Sequence, residues 1–138
     1  PGVALHVAET LNKNLGDRYR ISLTMQAFVA EGVKSFYIKD DKGSLTPNPA
    51  ALALIKAGNK ASTAEEVRIR ALKALASEAH MMLEEGVVAT AAEIDICMLL
   101  GCGWPLHLGG ILPYLDREGI SSEVNAANFH QPGVASLA

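Results

Sequence analysis

Two cysteines, four histidines and a scatter of carboxylates are the side chains of this 138-residue chain best suited to chemistry, and their spacing decides what is open to them. Cys97, Cys102 and His107 follow one another at five-residue steps. A zinc site wants four ligands, usually in tighter pairs. No second cysteine pair is present, and His80 and His130 lie far away in sequence. The two thiols are therefore expected to be buried or half-buried core groups. A Cys–His or Ser–His nucleophile needs an orienting carboxylate and an oxyanion donor. His6, His80, His107 and His130 are scattered and none sits in a local signature, so no catalytic and no metal-ligating residue is assigned. His80 reads as a surface or packing residue. Glu84 and Glu85 close a helical pattern at the end where the helix dipole disfavours anions, so they face water or a basic partner. Asp116 and Arg117 are placed for a local exposed pair, which contributes about 0–1 kcal/mol.

The densest stretch is Gly101–Gly119, with five glycines, two prolines and the only tryptophan of the chain. Gly101-x-Gly103 invites comparison with a dinucleotide-binding turn, but that turn needs a third glycine, a strand leading into it and an acidic residue about twenty positions on. Here Pro105 and Leu106 occupy the critical positions and a helical pattern leads in, so no cofactor-binding residue is assigned. Gly101 to Gly110 is no ordinary helix, since glycine costs about 1 kcal/mol and proline about 3 kcal/mol there relative to alanine. Trp104, Leu106, Leu108, Ile111, Leu112 and Tyr114 read as core or interface packing in preference to a lipid- or acyl-binding surface. Gly109-Gly110 allows close approach to another element, and Pro113 suits the first turn of a new helix. The stretch is a structural plug, with Gly101, Gly103, Trp104, Pro105, Gly109 and Gly110 as its motif.

The elements around it read as mostly helical. Nearly half the residues are apolar and a fifth charged, enough for a core and against disorder. A net charge of −3 without a basic cluster gives no reason for nucleic acid or an anionic membrane as partner. No apolar run is long enough to span a membrane, and two cysteines are too few for a disulfide framework, which points to a reducing cytoplasm. Pro1-Gly2 leads straight into an amphipathic pattern without an initiator methionine, so the chain reads as a piece of a longer protein.

Val3, Val7, Ala8 and Leu11 predict a helix ending near Gly16; Ser22 caps a second that stops at Gly32. Ser35–Lys39 favours a strand and Asp40–Gly43 a turn, giving at most one short hairpin. Leu45–Pro49 reads as a proline-rich crossing and internal boundary. Asn48 then caps a helix with Pro49 at its first position, running to Lys56 and stopping at Gly58, with Gly58–Ala61 as linker. Ser62–Glu66 opens the main helix with a cap hydroxyl and first-turn acids; Leu72, Leu75, Ala79, Met82 and Leu83 form its stripe, extended by Val67 and Ala71, to a stop at Gly86. Thr90 caps Ala91–Leu100, whose apolar positions include Ile94, Cys97 and Met98. Pro113–Glu118 forms a short helix closed by Gly119, Ser121–Phe129 another turn or two, and Gln131–Ala138 a tail. The expected division is 1–45, a linker with a short helix over 46–61, and 62–138.

The pattern Gly-x-Gly-Trp-Pro-x-x-x-Gly-Gly-x-x-x-Tyr-x-Asp, preceded by Leu-Glu-Glu-Gly-Val-Val-Ala-Thr-Ala-Ala-Glu-Ile-Asp, resembles the helical C-terminal domain of 3-hydroxyacyl-CoA dehydrogenases, of the 6-phosphogluconate dehydrogenase C-terminal-like type. It is most similar to the second of two tandem helical domains in the multifunctional fatty-acid β-oxidation enzymes, over Glu66–Gly119. Trp104 stands where the family has phenylalanine and Leu106 where it has a second proline. Val3–Leu11 and Glu31–Tyr37 resemble the end of the first tandem domain, although the segment between Lys34 and Phe36-Tyr37 is two residues short of the family pattern.

The resemblance implies a parent that oxidises 3-hydroxyacyl-CoA to 3-ketoacyl-CoA with NAD, joined to an enoyl-CoA hydratase. The family's catalytic histidine, glutamate, serine and asparagine match no residue here, so none is carried over. The fragment itself is expected to hold no cofactor, to pack against the parent's Rossmann and first helical domains, to support the acyl-CoA cleft without catalysis, and to dimerise when alone. A thiolase is a further partner the resemblance implies. A free-standing interaction or acyl-CoA-binding module is the other reading, and a small dimeric dehydrogenase a third.

Overall fold

Val3, Val7 and Leu11 are spaced a helical turn apart, and in the computed structural model, which describes residues 1–56 and 61–134, they lie on α1, Gly2–Leu15. Gly16, at φ 62°, ends it in the left-handed region that favours glycine. Asn12 Nδ2 donates to the carbonyls of Gly16 (3.1 Å) and Tyr19 (2.7 Å), tying down the 3-10 turn Gly16–Arg18 that follows. α2 spans Leu23–Ala30, and Ser22 caps it by accepting from Met25 N at 3.3 Å.

β1 (Tyr37–Lys39) and β2 (Leu45–Pro47) pair antiparallel, with Tyr37 opposite Pro47 and Lys39 opposite Leu45. The Asp40 carboxylate makes the turn by accepting from Lys42 N (2.9 Å) and Ser44 N (2.8 Å). The expectation of a crossing over Leu45–Pro49 is corrected here. Its first residues are the returning strand, and Pro47 is tolerated because it sits at the end of a two-stranded ribbon. α3 follows as Pro49–Leu54, capped by Asn48 Oδ1, which accepts from Ala50 N at 3.1 Å, and ends ahead of the expected Lys56. Asn48 Nδ2 also donates to Ser35 O (2.9 Å), so the cap fastens helix to hairpin.

The chain divides into two units, Pro1–Ala61 and Ser62–Ala138. Phe28, Val33 and Ala51 form a small core of the first unit, with Leu54 against them and the Phe36 ring centroid 5.0 Å from that of Phe28. Residues 45–54 thus pack with the first unit instead of linking it to the next. The expected helix stop at Gly58, most of the linker over 58–61 and the end of the tail from Ala135 lie outside the described residues.

The second unit is built on α4, Ala64–Glu84. Its start is a reciprocal cap: Glu66 N donates to Thr63 Oγ1 (3.1 Å) and Thr63 N to Glu66 Oε2 (2.7 Å). Gly86, at φ 68°, closes it. α5 spans Ala91–Gly101, and the Glu93 carboxylate accepts from Ala89 N (2.7 Å) and Thr90 N (3.3 Å). A 3-10 turn at Leu106–Leu108 leads to α6, Ile111–Arg117, and then α7, Ile120–Asn125. Leu72, Ala76 and Ala79 of α4 bury against Ile94 of α5, Ile111, Leu112 and Leu115 of α6 and Ile120 of α7. Seven α-helices and one hairpin among the described residues make the chain mostly α, as expected. None of these helices is long and apolar enough to cross a membrane.

Candidate functional site

α6 begins two residues earlier than its sequence announces, and the cause lies on another helix. Its N-cap is Gly110, which has no side chain to offer the free N–H groups of the first turn. Asp95 of α5 supplies the missing oxygen: its Oδ1 accepts from Leu112 N at 2.8 Å. A carboxylate there also suits the positive end of the α6 dipole. The same approach dictates the glycine. A Cβ on residue 110 would lie 2.4 Å from Asp95 Cγ and 2.5 Å from Oδ1, so nothing larger fits without displacing the cap. Gly103 (φ 71°) and Gly109 (φ 75°) answer to backbone conformation instead.

Asp95 is held from its other side. Its Oδ2 lies 2.9 Å from His130 Nε2, with both side chains largely buried. The backbone N–H groups of Phe129 and His130 donate to the buried Asp116 carboxylate, each at 3.0 Å. Two carboxylates on successive helices therefore clamp the segment after α7 onto the glycine-rich connection. Ala126, at φ 59°, turns the chain into this clamp. The expectation of an exposed Asp116–Arg117 pair is corrected: Asp116 is buried and serves backbone donors, while Arg117 Nη2 donates to Leu108 O at 2.6 Å.

Aromatic groups cover the other flank. Trp104 meets Tyr114 edge-on, with centroids 5.4 Å apart and planes at 62°. Tyr114 Oη accepts from Arg68 Nη1 at 2.9 Å, and the same guanidinium donates to Glu118 (3.1 Å) and Glu65 (2.8 Å). Arg68 thereby joins the start of α4 to the end of α6. Its hydrogen bonds hold the Glu65 carboxyl below the usual carboxylate range and raise its own pKa.

The motif residues converge here: Gly103, Trp104, Pro105, Gly109 and Gly110 form one connection between α5 and α6. Gly101 is the last residue of α5, and neither its φ nor the space around it demands glycine. Leu106 is 77% exposed and does not plug the core as expected, because the 3-10 turn points it outward. Cys97 and Cys102 are corrected too: both are exposed. α5 turns Ile94 and Asp95 inward, with Ala91, Met98 and Leu99 half-buried, and Cys97 falls off that face. His80 lies 3.3 Å from Glu84 one turn along α4. The Asp95–His130 pair went unseen in sequence because 35 residues separate them; the one signal was a carboxylate on the apolar side of α5.

An aspartate beside an imidazole makes up two of the three members of a nucleophilic triad. Among the described residues no hydroxyl or thiol bonds His130, and Asp95 spends its other oxygen on a backbone N–H. No three His, Cys, Asp or Glu side chains among those residues are grouped to hold a metal ion. The arrangement can lock a backbone.

Sequence comparison finds relatives. The chain is 36% identical to the fatty acid oxidation complex subunit alpha of Colwellia psychrerythraea over 102 residues, 69% of this chain and 14% of that protein. It is 30% identical to the subunit of the same name from Shewanella frigidimarina over 142 aligned positions, 94% of this chain and 19% of that protein. With that of Idiomarina loihiensis the identity is 29% over 131 residues, 89% of this chain and 18% of the relative. The chain thus spans less than a fifth of the length of these relatives. No protein-family model matches it, and no solved structure does.

Proposed function

We propose that this chain, which belongs to the family of the fatty acid oxidation complex alpha subunits, is the C-terminal helical part of a β-oxidation enzyme. The parent oxidises 3-hydroxyacyl-CoA to 3-ketoacyl-CoA with NAD and carries an enoyl-CoA hydratase as well. Ser62–Ala138 corresponds to the second of two tandem helical domains and the residues before it to the end of the first. The segment packs against the parent's Rossmann and first helical domains, supports the acyl-CoA cleft, and is not catalytic alone. NAD belongs to the parent. The exposed, unpaired Cys97 and Cys102 fit a cytoplasmic setting.

The observation that carries the structural role is the double duty of Asp95. It caps α6 from outside and fills the space a side chain at Gly110 would need. Folding thereby accounts for Gly110, and for the left-handed Gly103 and Gly109 beside it, which supports a structural role for this stretch.

A chimera tests this. The matching segment of the Colwellia psychrerythraea subunit is replaced by this chain, and NADH formation from 3-hydroxyacyl-CoA is followed. The proposal expects activity within about tenfold of the unmodified subunit, a loss of no more than about 1.4 kcal/mol in the transition-state barrier. A folded chimera that binds NAD and acyl-CoA but does not turn over would contradict it. Tight binding of acyl-CoA by the isolated chain, read by calorimetry, would favour the module reading instead.

A further inference from the structure

The hairpin of the first unit has two outer edges, and its ladder makes them unlike. The register sets Ile38 opposite Thr46, and bonds from Asn48 N to Phe36 O and from Asp40 N to Ser44 O, each 2.9 Å, continue the ladder at both ends. In an antiparallel pair alternate residues bond inward. Phe36, Ile38 and Asp40 are therefore committed to β2, and Tyr37 and Lys39 turn their N–H and C=O groups away from it. On β2 the outward residues are Leu45 and Pro47, and Pro47 has no N–H to give, so that edge is broken. The β1 edge is open. The Ser35 hydroxyl donates to the Tyr37 carbonyl, which keeps a second lone pair for another donor. Tyr37 and Leu45 are 58% and 69% exposed. With Lys39 and Pro47 they share the face turned away from that of Phe36, whose ring meets Phe28 of the small core.

We infer that the β1 edge is a strand-addition site, which takes an extended segment of a partner protein antiparallel to Tyr37–Lys39. Backbone chemistry selects this occupant. Outward N–H and C=O groups at alternate residues are matched by another strand and not by a helix, whose backbone groups bond within itself. The other elements among the described residues are helices, so among them the chain has no further strand to fill the edge. Each outward residue then exchanges both its backbone groups with one residue of the partner. Side chains narrow the partner's sequence. The residue level with Tyr37 lies beside its ring and is apolar; the residue two positions earlier lies beside Lys39 and is acidic. The inference goes beyond the packing role proposed above, and its failure is distinct from a failure of that role, because peptide binding and turnover are separate readings.

The test is a titration of the ¹⁵N-labelled chain with the peptide acetyl-Thr-Glu-Thr-Val-Thr-Val-amide, in which Glu falls level with Lys39 and the first Val with Tyr37. The amide signals of Tyr37 and Lys39 should shift to saturation and exchange more slowly with solvent. N-methylation of that Val removes the N–H that donates to Tyr37 O and should weaken binding about tenfold or more. N-methylation of the Thr before it, whose N–H points away from β1, should change binding far less. Lys39→Glu should weaken binding about threefold, and a peptide with Lys in place of Glu should restore it. Shifts that never saturate would overturn the site. So would equal losses from the two N-methyl peptides, or binding indifferent to the charge reversal. A chimeric subunit, made as above, that does not take the peptide would overturn the partner strand, because the subunit's own chain would then fill the edge.

Discussion

Gly110 and Asp95 are two halves of one device, and substitution at either shows it. Gly110→Ala drives a methyl into the Asp95 carboxylate, a close overpacking that costs about 1–3 kcal/mol. Asp95→Ala leaves Leu112 N–H buried without its acceptor, about 1–3 kcal/mol again. The two effects should not add, because removing the carboxylate makes room for the methyl. In an Asp95→Ala background, Gly110→Ala should cost well under its single-mutant value. Trp104, the only tryptophan, packs against Tyr114 on α6, so urea unfolding followed by its fluorescence reads this unit directly. Additive costs would mean that the two residues act separately. Little of this was legible beforehand. Asp95 is one acid in an apolar helix and His130 has no local signature, so only the fold could bring them together.

At the level of elements, sequence and structure agree where the signal is local. Thr63 and Glu66 cap each other across three residues, and Gly86 and Gly119 stop helices by their own backbone conformation, so α4 and the end of α6 were readable. Agreement fails where a partner decides. Leu45–Pro47 is a strand because the Asp40 turn returns it against Tyr37–Lys39, although its proline argues otherwise. α5 is apolar on several sides, with Ile94, Ile96, Met98 and Leu100, so the sequence does not say which face goes in, and the thiols were misplaced. The capping box makes its own prediction: Thr63→Ala should lower stability by about 1 kcal/mol in the same urea assay, and an unchanged midpoint would contradict it. The pair beside it is pH-sensitive. Hydrogen bonds from Arg68 hold the folded Glu65 carboxyl below its ordinary value of 4.5, so its contribution is present above that pH and lost as pH falls through the lowered value. A ¹³C titration should place the Glu65 midpoint below 4.5, and Arg68→Met should move it back up. Because Glu65 is exposed, added salt should shrink the difference.

On the scale of the whole molecule, the described residues form two small cores and leave much apolar surface uncovered. The first unit buries few large side chains while Val3, Leu23, Tyr37 and Leu45 are each more than half exposed. A unit of that size with so small a core is marginal by itself, and in the function proposed above its packing is completed by the parent's other domains. This is the physical counterpart of the relatives' lengths, of which the chain spans 14–19%. In the function proposed above, the chain shapes and supports a β-oxidation enzyme without performing its reaction. The most direct measurement is NADH absorbance with the purified, folded chain, 3-hydroxyacyl-CoA and NAD. The rate should be no different from that without protein. Sustained turnover proportional to chain concentration would contradict it.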